Sequence, residues 1–134
     1  MNAPAILMIG STELDFGSVR RHLENQGCHC RFVATYSEGI ELLGELHFDV
    51  ILSSGMPGIR NLVSSLFGLP VSVFCSHPIE DSCLWLPVLV KGKECFGAPA
   101  LHPKEFSKKL DEILNELGPH TRHDAESHAS LWRA

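Results

Sequence analysis

The chain has 134 residues, 44% hydrophobic and 20% charged, which is enough for one globular core and too little for two comfortable domains. Its formal charge is −5 and its eleven Lys and Arg are scattered, so the basic face that releases counterions from DNA or RNA is missing. Nucleic acid is therefore not an expected partner, and neither is a membrane: Met1-Asn2-Ala3-Pro4 carries no positive charge, and the apolar run from Ile6 to Ile9 is too short for a signal core or a span.

The first predicted element is a strand over Ala5-Ile6-Leu7-Met8-Ile9, a continuous apolar run of the kind buried on both faces of a parallel sheet. Gly10-Ser11-Thr12 breaks it and offers a cap to a helix carrying Leu14, Val19 and Leu23, which stops at Asn25-Gln26-Gly27. His29 to Ala34 alternates and reads as a strand nearer an edge, and Thr35-Tyr36-Ser37 leads into a helix with Ile40, Leu42, Leu43 and Leu46. A third strand, Asp49 to Ser53, stops at Gly55-Met56-Pro57-Gly58. A short helix with Leu62, Val63, Leu66 and Phe67 follows, then a fourth strand from Val71 to Cys75. Pro78 and Pro87 bracket a predicted short helix running through Trp85, Val88 and Leu89 to Lys91-Gly92. Glu94 to Gly97 is predicted as the fifth strand, and Pro103 as the first residue of a last helix that presents Phe106, Leu110, Ile113, Leu114 and Leu117 and ends at Gly118-Pro119.

Strand and helix thus alternate five times, with crossovers of the length that parallel pairing requires. The fold class expected is α/β: a five-stranded parallel sheet, doubly wound and flavodoxin-like, in a single domain over residues 1–118, with 119–134 as a flexible C-terminal tail.

Several groups invite chemical readings and fail on geometry. In Cys28-His29-Cys30 the thiols share one face of a strand and the imidazole takes the other, so the three cannot close on one ion. His120, His123 and His128 have no Cys or carboxylate support and read as solvated side chains. Gly10-Ser11-Thr12-Glu13 lacks the spacing of a phosphate-binding loop and reads as a helix cap. Cys75, beside Ser76 and His77 at a strand's carboxyl end, sits where open α/β sheets bind ligands, yet neighbours in sequence do not aim at one point and no third orienting group is evident. The five Cys, without CxxC spacing, read as plain buried thiols. No metal or cofactor is expected.

Phe48-Asp49-Val50-Ile51-Leu52-Ser53-Ser54-Gly55-Met56-Pro57-Gly58 resembles the third strand and Met-Pro-Gly loop of the receiver domain of bacterial two-component response regulators. Trp85 to Gly92, followed by Leu101-His102-Pro103-Lys104-Glu105-Phe106, resembles that family's fourth helix and the start of its fifth. The resemblance covers roughly Ala5 to Leu117. It implies phosphoryl transfer to an Asp at the end of the third strand, with a metal held by that Asp and by an acidic pair after the first strand. The acidic-pair positions fall here on Gly10 and Ser11, and the acceptor on Ser53 or Ser54 according to the direction of counting. The hydroxyl position after the fourth strand falls on Cys75, the switch aromatic on Phe96 and the phosphate-pairing lysine on Pro99. A serine alcohol is a weak nucleophile without an activating base or metal. Glu13 and Asp15, the nearest acids, suit the first turn of a helix better.

The expectation is therefore a degenerate receiver: no enzyme, but a cytoplasmic signalling or scaffold module in a two-component-type pathway, working without phosphorylation through contact with a histidine kinase, another regulator or a second copy. By resemblance its contact face would run over Trp85, Leu86, Lys91, Phe96, Lys104, Lys108 and Asp111. Two alternatives stand beside it. One is a small-ligand binder or enzyme using the crevice at Ser11, Ser53, Ser54 and Cys75; the other is a conventional phosphorelay receiver.

Overall fold

A computed structural model describes residues 3–10, 17–54, 59–64, 66, 69–79, 82–95 and 98–128, with some side chains within these ranges left out of the description, among them all beyond 116. The apolar runs form the sheet's centre. Strand β1 (Ala5–Ile9) lies between β2 (His29–Val33) and β3 (Val50–Ser54), and β4 (Ser72–Ile79) extends the sheet beyond β3; all three pairings are parallel. Successive residues point to opposite faces, so each strand feeds two layers. Leu7, Ile9, Ile51, Val73 and Cys75 join Ile59, Leu62, Val63 and Leu66 on one side, where helices α2 (Tyr36–Leu43) and α3 (Ile59–Ser64) lie. Ile6, Met8, Val50, Leu52 and Phe74 meet Leu23, Phe106, Leu110, Ile113 and Leu114 on the other, beneath α1 (Gly17–Asn25) and α4 (Pro103–His128). The α/β class holds, with helices on both faces.

Local signals fix several boundaries. Thr35 caps α2 from extended backbone, its Oγ1 accepting the Glu38 N–H at 3.2 Å and donating to the Glu38 carboxylate at 3.1 Å. Asp49 ties the start of β3 to the start of β1: its Oδ2 accepts the Ala5 N–H at 2.9 Å, and its own N–H donates to the Ala5 carbonyl at 2.8 Å.

The expected five-stranded, all-parallel sheet is corrected beyond β4. Among the described residues the sheet has six strands in the order β2-β1-β3-β4-β5-β6, and the helix predicted between Pro78 and Lys91 is strand β5 (Ser82–Val90), antiparallel to β4 from Ile79↔Ser82 to Val73↔Leu89. The register slips between Val73 and Phe74, whose partners are Leu89 and Pro87. Val88 is the extra residue, and a bulge of this kind is where a strand tolerates proline. It also turns Val88 and Leu89 toward the same layer, which breaks the period of two that would have marked a strand.

Lys91-Gly92, read as a helix stop, is instead the two-residue turn to β6 (Lys93–Glu94), with Val90 paired to Lys93. Lys91 has φ 53° and Gly92 φ 83°, and a type I′ hairpin turn needs positive φ at both central residues. A Cβ on Gly92 would stand 2.6 Å from the Leu69 carbonyl oxygen. Buried Ser72 secures the turn by accepting the Lys91 N–H at 3.0 Å.

Of the predicted fifth strand, Glu94 to Gly97, Phe96 and Gly97 lie outside the described residues; among the described residues β6 pairs antiparallel with β5 at Lys93–Glu94, Leu101 bridges Trp85, and α4 starts at Pro103. Helix α4 passes through Gly118–Pro119, where an end was expected, Pro119 forfeiting one backbone bond without closing the element. Among the described side chains, Phe106, Leu110, Ile113 and Leu114 pack into the core. Among the described residues no helix is long and apolar enough to cross a membrane.

Candidate functional site

The carboxyl ends of the parallel strands bring together Gly10, Ser53, Ser54, Cys75 and Ser76. The register sets Ser53 between Ile9 and Cys75, and Ser54 beside Ser76. Because neighbours on a strand face opposite ways, Ser53 and Cys75 point into the layer of α2 and α3, and Ser54 and Ser76 toward that of α1 and α4. Gly10 is buried, and its N–H donates to the Val33 carbonyl at 3.0 Å. Ser11, Glu13, Asp15, the Met56-Pro57-Gly58 loop and Phe96 lie outside the described residues, so their expected roles have no structural counterpart to report.

Ser53 is fully buried, and burying a hydroxyl is unfavourable unless it is hydrogen-bonded. Its partners come from two other elements. Tyr36, in the first turn of α2, shares a short hydrogen bond with it through the phenol oxygen, and Cys75 on β4 is bonded to it through the thiol. Burial disfavours the ionised forms of both Tyr36 and Cys75. Burial pushes the Cys75 thiol up to about 11, partly offset by the Ser53 hydrogen bond. The Tyr36 phenol is raised by burial as well, with the Ser53 bond acting against the shift and the neighbouring Cys75 adding to it. A nucleophilic cysteine needs a lowered thiol pKa and access. Cys75 has neither, being fully buried, while His77 two residues on is exposed.

Tyr36 was absent from the residues singled out in the sequence. It is the chain's single tyrosine, placed directly after the helix-capping Thr35, and a tyrosine whose ring is partly buried ordinarily brings its hydroxyl to a partner. That is the signal from which it could have been found.

The described residues of the expected contact face are spread over β5, the β5–β6 turn and α4. Trp85 is only 3% exposed: its ring stacks on Phe106 with centroids 4.2 Å apart and planes 7° from parallel, and Phe106 meets Phe74 edge-on at 5.2 Å. It is a core residue, and an exposed anchor there is ruled out. Leu86, its neighbour on β5, is half-buried against the opposite layer, as strand alternation requires. Lys91 sits in the hairpin turn and is ion-paired with Glu116 of α4. Lys104 and Lys108 are exposed on α4, and Asp111 binds α1, accepting from Gln26 Nε2 at 3.0 Å and meeting His22 Nε2 at 3.3 Å. Pro99 is exposed in the segment that returns along β5.

At the opposite end of the sheet a shallow cleft of about 250 Å³ opens between the α2–β3 connection and the start of β4. Leu46 and Leu69, 43% and 46% exposed, stand at its rim above Phe48 and Val71. Among the described residues no group of three or more His, Cys, Asp or Glu is placed to hold a metal ion. Cys28 and Cys30 share the α1 side, their thiols pushed up to about 12 and about 11, in both chiefly by burial.

No family model matches the chain, and no curated protein or solved structure is significantly similar to it.

Proposed function

We propose that the chain is a phosphorylation-independent, receiver-like signalling or scaffold module of a bacterial two-component-type pathway, cytoplasmic, and acting by contact with other proteins. In this reading the parallel strands β2, β1, β3 and β4 are the first four of a flavodoxin-like sheet, and β5 replaces the crossover helix that would lead to a fifth parallel strand. The observation that carries it is Ser53. At the end of the third strand, where the resemblance puts the phosphoacceptor on Ser53 or Ser54, Ser53 is fully buried and engaged by Tyr36 and Cys75, and Ser54 beside it is half-buried. An acceptor must present an oxygen to a phosphodonor and to a metal, and the Ser53 hydroxyl is fully buried.

The same burial counts against the crevice as a ligand site built on Ser53 and Cys75. With Trp85 in the core, the contact surface in this proposal is the exposed side of α4 at Lys104 and Lys108. Intact-mass analysis after incubation with Mg²⁺ and a small acyl phosphate is the first test, with no added phosphoryl mass expected. A stoichiometric adduct at Ser53, Ser54 or a carboxylate sinks the reading. If no adduct forms, light scattering on the wild type and on a Lys104→Glu, Lys108→Glu variant tests the contact surface. A complex or dimer that persists unchanged in a folded variant places the interface elsewhere.

A further inference from the structure

We draw no further inference here: the strongest candidate, the cleft at the amino-terminal end of the sheet where Leu46 and Leu69 stand exposed beside Phe48 and Val71, carries nothing because nothing in the structure shows what covers it.

Discussion

Replacing Trp85 with alanine separates two incompatible pictures of residues 82–90. On an exposed helical face the substitution would change stability by less than about 0.5 kcal/mol, as surface changes ordinarily do. In β5 the indole is 3% exposed and stacked on Phe106, which itself meets Phe74. Removing a buried Trp side chain forfeits its transfer energy and leaves a cavity, together about 3–5 kcal/mol. Within that total, the ring-on-ring geometry contributes about 0.5–1.5 kcal/mol beyond area. A domain of this size holds roughly 5–15 kcal/mol in all, so Trp85→Ala should remove at least about a fifth of it. The backbone bonds between Trp85 and Leu101 do not involve the side chain and should survive, so the loss reports packing. Urea denaturation followed by circular dichroism gives the difference directly. A cycle of Trp85→Leu and Phe106→Leu should then return a coupling of about 0.5–1.5 kcal/mol. A Trp85→Ala variant within 1 kcal/mol of wild type would refute the stacked core and put position 85 back on the surface.

Three other expectations follow from particular contacts. Gly92→Ala and Gly27→Ala each force alanine into positive φ, at about 1–2 kcal/mol, but only position 92 also drives a Cβ to 2.6 Å from the Leu69 carbonyl. Gly92→Ala should therefore be measurably the worse of the two in thermal denaturation, and equal losses would contradict the tight β5–β6 turn. Ser53→Asp, which places an acid at a position proposed for the phosphoacceptor, should destabilise the chain by roughly 2 kcal/mol or more, because the carboxyl is buried between Tyr36 and Cys75. It should also fail to gain phosphoryl mass; a stable variant that accepts phosphate would show the site to be open. Folding raises the thiols of Cys75, Cys30 and Cys28 to about 11, about 11 and about 12. Folding thus favours their neutral forms, and this contribution is whole below the unfolded thiol pKa of about 8.5 and is lost as pH climbs toward 11–12. Denaturation midpoints should be insensitive to these groups up to about pH 8 and then fall, at up to about 1.4 kcal/mol per pH unit for each thiol. Cys75→Ala should flatten that decline, and an unchanged slope would exclude Cys75 as a contributor.

What could be read in the chain follows how locally each choice is made. Val50 to Leu52 is a continuous apolar run and Val71 to Phe74 is interrupted only by Ser72, and both segments form parallel strands as expected. Thr35 and Gly27 marked the start and stop of helices through bonds within a few residues. Residues 82–90 were misread because two prolines mimic helix boundaries and the bulge at Val88 erases strand alternation. The candidate site was half visible: Ser53 and Cys75 could be placed at strand ends, but nothing nearby in sequence announces Tyr36 as their partner.

By itself the sequence determined a small α/β domain whose buried strands each serve two layers, because apolar patterning and helix caps act over a few residues. Only the tertiary structure decided that Ser82–Val90 lies in the sheet rather than on it, since that depends on the hydrogen-bonding edge that β4 leaves open. It decided equally that Trp85 is core and that Tyr36 closes over Ser53. Those outcomes turn on which distant surfaces meet, and burial against a distant partner is a quantity no local pattern encodes.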